Sequence, residues 1–181
     1  MTLRFSDIPQ FPHAAYKVNV PWNHIERHLE VLGSGEGGLD LDPDFQREHV
    51  WNERQQRDYI EYMLMGGEVS GTIIFNCPRW MRGKYEATVQ LVDGKQRLEA
   101  VRKFMRGGLM AFGQRVDQFG RFPAMKYDLQ FAVCALETRG EVLRLYLNIN
   151  AGGTPHTKKE LDRVRLMLDE EISHRANSEG E

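Results

Sequence analysis

The chain has 181 residues, of which 41% are hydrophobic and 28% charged, with a formal net charge of −2. That length and mix suit one packed domain and exclude a disordered chain or two large domains. The mild acidity excludes a globally basic surface for nucleic acid or anionic lipid, though a local basic cleft stays open. The two cysteines, Cys77 and Cys134, are far apart in sequence. They read as small buried hydrophobes in a reducing cytoplasm rather than as a disulfide framework or zinc knuckle. The N-terminal residues lack a signal-peptide apolar core, and no apolar run is long enough for a bilayer. A cytoplasmic protein without a membrane partner is expected.

Residues 1–20 form an extended lead-in with an edge strand at 16–20. Pro21 opens a helical stretch in which Ile25, Leu29 and Leu32 share a face. The loop 33–38 (GSGEGG) ends it, so residues 1–38 read as lead-in and helix. Residues 39–51 show no periodicity. A helix follows from Asn52 to about Met65, with Asn52 and Gln55 as a capping box. Residues 71–76 read as a strand and 84–92 as its partner, with the turn at 77–83.

A third helix runs from Asp93-Gly94 to about Arg106. Residues 109–112 and 115–119 are expected to pair as a hairpin around Gly113-Gln114. Residues 129–135 form another strand. Thr138 and Glu141 cap a helix, which Asn150, Gly152 and Gly153 break. Thr157 and Glu160 cap the last helix, through Leu161, Val164 and Leu168. Residues 39–174 then make one α+β domain, a small mixed sheet flanked by helices, and 175–181 a fraying polar tail.

The stretch 91–100, LVDGKQRLEA, carries the densest chemistry. A strand meets an Asp-Gly pair, and a helix starts at once. Helix starts expose backbone N–H groups and the positive end of the helix dipole. Gly94 permits a sharp turn and close ligand approach. Lys95 and Arg97 add positive charge, which suits phosphate. Equally, Asp93 reads as an N-cap with Gln96 completing a capping box.

The segment 41–51, LDPDFQREHVW, is the second constellation. Arg47 reads as a phosphate clamp or as the partner of Asp93. Gln46 reads as a base or ribose contact, or as a loop staple. Phe45 and Trp51 are core residues or base-stacking platforms. Asn148 and Asn150 suit helix C-capping or an amide contact to a nucleotide. Neither a Walker A sequence nor a zinc-protease or serine-hydrolase motif is present. His24 and His28, four apart on a helix, read as a solvated face.

Pro43, Phe45, Gln46, Arg47, Val50 and Trp51, then Asp93, Gly94, Lys95, Gln96 and Arg97, then Asn148, Asn150, Gly152, Gly153, Thr154 and Pro155 resemble three blocks of one family. It is the N-terminal domain of GmrSD-type restriction systems, within the ParB/sulfiredoxin-like superfamily. Lys95 stands where that family's D-G-Q-Q-R motif has its first Gln. The resemblance implies a ParB/sulfiredoxin-like fold and a nucleoside triphosphate site, with hydrolysis by phosphate positioning and charge neutralisation. Arg47, Asp93 and Arg97 would be the catalytic set. Gln46, Arg47, Gly94, Lys95, Gln96, Arg97 and Asn150 would bind the nucleotide, and Asp93 a magnesium ion carried by it.

Two other readings stand beside this one. The chain could be a DNA binder or ParB-like nuclease, if Arg47, Arg54, Arg57, Lys95, Arg97, Arg102 and Lys103 share a groove. It could also be a non-catalytic module from a phage or mobile element that acts through a partner protein or subunit.

Overall fold

The computed structural model describes residues 14–46, 50–67, 71–80, 86–123, 126–150 and 158–178. Its frame is a five-stranded mixed sheet. The strands are β1 (Tyr16–Pro21), β2 (Leu39–Asp40), β3 (Thr72–Asn76), β4 (Val89–Asp93) and β5 (Asp128–Cys134). Their spatial order is β1-β5-β3-β4-β2. β1 runs antiparallel to β5, β5 parallel to β3, β3 antiparallel to β4, and β4 parallel to β2. The lead-in strand is thus an integral edge of the sheet.

The helices are α1 (Ile25–Leu32), α2 (Glu53–Leu64), α3 (Lys95–Met105), α4 (Arg139–Asn150) and α5 (Lys158–Ser178). Alternate residues of β3, β4 and β5 divide the core in two. On one side Ile73, Phe75, Leu91, Leu129 and Phe131 pack with Trp22 from the 3-10 turn before α1 and with Ile25, Ile60, Leu98 and Phe104 from α1, α2 and α3. On the other, Val92, Cys134 and the neighbouring Ile74 pack with Phe45, Leu143, Tyr146 and Val164. This is the α+β domain the sequence implies. Among the described residues no helix is long and apolar enough to cross a membrane.

Local chemistry fixes the helix starts. Asn52 accepts from the Gln55 N–H at 2.9 Å, and Gln55 accepts from the Asn52 N–H at 3.0 Å, so α2 opens on the expected capping box. Thr138 and Glu141 do the same ahead of α4, at 3.0 and 3.3 Å.

Three expectations change. Asp93 is the last residue of β4, not the cap of α3. The cap position belongs to Gly94, at φ 96°, with no side-chain cap bond. The hairpin at 109–119 shrinks to one bridge, Ala111 with Gln114, around a Phe112-Gly113 turn. Val116–Phe119 coils instead into a 3-10 turn. The Arg115 N–H donates to the Gln118 side chain at 2.7 Å, and this local bond outcompetes a ladder with little to pair against. Finally, His28 is not on a solvated face. Its ring meets Phe131 edge-on at 5.3 Å, and burial lowers its pKa.

Candidate functional site

The turn from β4 into α3 begins with a β-bulge. Ile74 pairs with Asp93 and Phe75 with Leu91, so Val92 is the extra residue. Val92 is fully buried in the second core cluster, which fixes the direction in which Asp93 leaves the strand. Gly94 then takes the left-handed conformation. A Cβ there would lie 2.6 Å from Ile73 Cδ1 and 3.2 Å from Ile73 Cα, so both backbone angle and space demand glycine.

Arg97 Nη2 donates to Asp93 Oδ2 at 2.6 Å and to the Thr72 carbonyl at 3.0 Å. Both side chains are partly open, 21% for Arg97 and 26% for Asp93. Arg97 Nε is buried without a hydrogen-bond partner, and so is the Tyr59 hydroxyl. Burial pushes the Tyr59 phenol up to about 12, with the Arg97 charge opposing. The sequence reading missed Tyr59, which looks from its spacing like one more apolar residue of α2.

The other expected residues serve as ties. Gln46 Nε2 donates to the Leu91 and Val92 carbonyls at 3.1 and 2.7 Å. β2 pairs β4 only at Val89 and Gln90, so Gln46 serves the part of the β4 edge that β2 does not reach. Gln96 Oε1 accepts from the Val50 and Trp51 N–H groups at 3.1 and 3.0 Å. Lys95 is bonded to Asp42 and is only 12% exposed. Arg139 pairs with Asp44 at 2.8 Å, and Arg163 Nη2 donates to the Gln46 carbonyl at 3.0 Å. The loop 41–46 is thereby tied to β4, α3, α4 and α5. Asp42, Arg139 and Arg163 escape a sequence reading because their partners lie 53, 95 and 117 positions away.

Phe45 and Trp51 are packing residues. Phe45 is 2% exposed and meets Tyr146 edge-on, while Trp51 rests 5.3 Å from Tyr59. Asn150 Nδ2 donates to the Tyr146 carbonyl at 2.7 Å, a bond within α4. Arg47, the remaining expected clamp, and Gly152 to Thr157 lie outside the described residues. Among the described residues, no group of three or more His, Cys, Asp or Glu side chains is placed to hold a metal.

A cleft of about 460 Å³, within the range of about 300–1,000 Å³ usual for small-ligand sites, opens between β3, β5 and α4. Ala132, Leu145 and Ile149 are among its apolar lining, and Asp93, Gly94, Arg97 and Tyr59 do not line it. Lys17, Thr72, Ile74, Gln130 and Asn148 line it. Thr72 is the residue whose carbonyl holds Arg97, and Ile74 is the cross-strand partner of Asp93.

The expected basic groove of α2 and α3 is largely neutralised. Arg54 and Arg57 lie 3.6 and 3.8 Å from Asp58, and Lys103 lies 3.5 Å from Glu53. Arg102 is clamped by Glu26 at 2.8 Å and Glu99 at 2.6 Å. The hydrogen bond from Arg102 is the main cause of a lowered Glu26 pKa, against some desolvation.

The fold and turn define a mixed α+β domain with a strand–glycine–helix corner bearing a carboxylate and a guanidinium. The chain belongs to the family described as GmrSD restriction endonuclease, N-terminal domain, whose model matches residues 29–126. That span contains the 43–51 and 93–97 blocks, while the block at 148–155 lies beyond it. No curated protein and no solved structure matches the chain.

Proposed function

We infer that this restriction-family domain binds a nucleoside triphosphate with magnesium at the start of α3, and that its fold is of the ParB/sulfiredoxin-like kind. One observation carries the reading. The Asp93–Arg97 pair stands at the glycine corner that opens α3, and Arg97 Nε and the Tyr59 hydroxyl are buried donors without acceptors. Buried donors are rarely left unsatisfied, and an anionic oxygen is their natural complement.

The residues present fit such a ligand. Arg97 would turn its unused donor to a phosphate oxygen. Asp93, a hard oxygen ligand, would face the magnesium ion, which neutralises phosphate charge and keeps most of its own waters. Gly94 would supply the left-handed turn from which α3 and its free N–H groups start, and Asn148 would reach the sugar or base from α4. Hydrolysis would draw on the same Asp93 and Arg97 by holding the phosphates against an attacking water. Gln46, Gln96 and Lys95 enter as ties that hold the corner in shape.

Thermal unfolding with each of the four nucleoside triphosphates and magnesium tests this. At least one should raise the midpoint, and Arg97→Lys should remove the rise while the variant stays folded. No rise with any nucleotide in the folded protein overturns the reading.

A further inference from the structure

A second cleft, of about 390 Å³, shares no lining residue with the one between β3, β5 and α4. Its walls include Phe104, Phe112, Phe119, Phe122, Tyr127 and Arg121. The rings support one another. Phe119 meets Phe104 edge-on at 6.2 Å, and Phe122 stacks on Trp22 and lies 5.9 Å from Tyr127. Two rings nevertheless stay open, Phe112 at 52% and Phe119 at 42% exposure.

Phe112 is displayed against the preference of its backbone. It has φ 48° and Gly113 φ 73°, the two central positions of a tight turn closed by Ala111 and Gln114. Such turns favour Asn-Gly, and a bulky residue at positive φ is an outlier. The Glu61 carboxylate accepts the Phe112 N–H at 2.7 Å and holds it there. Strain kept at an exposed aromatic points to a use for that ring.

The charge around this cleft differs from that on α2 and α3. Arg115, Arg121 and Lys126 are exposed, and none has an ion-pair partner among the described residues, unlike Arg54, Arg57, Arg102 and Lys103. Lys126 Nζ lies 5.3 Å from the centre of the Tyr127 ring. Arg115 precedes the 3-10 turn that carries Val116 and Phe119. Three exposed cations without ion-pair partners among the described residues thus stand beside open rings. The acids nearby are Glu61, engaged by the Phe112 N–H, and Asp117, in the same 3-10 turn.

We propose that this cleft binds single-stranded nucleic acid, with bases stacked on Phe112 and Phe119 and phosphates held by Arg115, Arg121 and Lys126. Stacking on aromatic rings tolerates any base, and flanking cations track the backbone. Coverage by an apolar protein surface would instead desolvate three unpaired cations, which is costly. An acidic polymer with flat apolar bases satisfies both features at once.

Fluorescence anisotropy of the full chain with a labelled oligothymidylate, and separately an oligouridylate, tests the proposal and tells DNA from RNA. At least one should bind, weakening with salt with a log–log slope of about −2 for three phosphate contacts. Arg121→Ala should reduce that slope by about 0.7. Phe119→Ala and Phe112→Asn should each weaken binding roughly fivefold or more. Phe112→Asn relieves the turn, so its thermal midpoint should rise while its affinity falls, which separates lost contact from misfolding. Tyr59→Phe should leave oligonucleotide affinity unchanged, so failure here is distinct from failure of the nucleotide reading. The proposal is overturned if neither oligonucleotide binds the folded chain at low salt, or if these variants bind as the parent does. It is equally overturned if the substitutions alter only self-association or the binding of a duplex hairpin.

Discussion

The Tyr59 hydroxyl and Arg97 Nε are both buried without a hydrogen-bond partner, and the Arg97 charge opposes the burial that raises the Tyr59 pKa. One group comes from α2 and the other from the first turn of α3. Two unsatisfied polar atoms disfavour the fold by themselves, since each loses water and gains nothing. Trp22 Nε1 and His28 Nε2 are likewise buried without a partner, so it is the closeness of Arg97 to Asp93 that gives these two donors their weight in the proposed anion site.

Tyr59→Phe should therefore act differently on stability and on binding. Removing a hydroxyl that bonds to nothing should change urea stability by less than about 0.5 kcal/mol, or raise it. The nucleotide-induced rise in thermal midpoint should shrink. A loss of stability above about 1 kcal/mol with the nucleotide response intact would show that the hydroxyl is structural.

Gly94→Ala should destabilise the fold by more than about 1 kcal/mol, because the left-handed conformation and the Ile73 contact both oppose a Cβ. Chemical denaturation measures this directly. Gly66, also at positive φ but with nothing near its Cβ position, is the control: Gly66→Ala should cost the conformational part alone.

Gln96→Ala leaves the Val50 and Trp51 N–H groups without their acceptor. A loss of about 1–2 kcal/mol is expected, less than for two fully buried donors because Val50 is half-exposed. Hydrogen exchange should quicken at the Trp51 amide while the α3 interior stays protected. Gln96→Glu keeps the acceptor and should restore that protection.

The acid limb of stability should have two parts. His28 has a folded pKa below its ordinary value of 6.5 because burial disfavours the imidazolium. The unfolded chain then binds more protons below pH 6.5, and stability falls as pH drops from there towards the folded pKa. Glu26 has a folded pKa below 4.5, mainly through its hydrogen bond from Arg102. Its contribution is present above pH 4.5 and is lost as pH falls through the folded pKa. His28→Leu should flatten the upper part and Glu26→Gln the lower, in denaturation midpoints taken against pH.

Cys77 and Cys134 are buried, and burial raises both thiol pKa values. A thiol reagent at neutral pH should label neither in the native protein and both in denaturant. Rapid native labelling would show that β3 and β5 open locally.

Periodicity and caps made most elements legible in the sequence. The apolar spacing of Ile25, Leu29 and Leu32, the Asn52–Gln55 box and the Thr138–Glu141 box all stand in the structure. Such signals are local, with cause and effect within a few residues. The Asp93–Arg97 corner was located the same way, down to the turn at Gly94. The hairpin expected at 109–119 gives way to one bridge and a 3-10 turn, because a positive-φ Phe112 carries no sequence signature and the Gln118 bond leaves little trace beside hydrophobic alternation.

Local sequence specifies a mixed α+β chain, its helix starts, and a strand–glycine–helix corner rich in charge. The tertiary fold sets which partners that charge meets. It tied Lys95 to Asp42, Gln96 to residues 50 and 51, and Gln46 to the edge of β4. It left Arg97 and Tyr59 with unused donors, and gathered open rings beside unpaired cations at 112–127. Those outcomes depend on which distant groups meet once two cores close around the sheet. Charge and hydrogen-bond balance is settled over distance in space, and the order of residues along the chain does not record it.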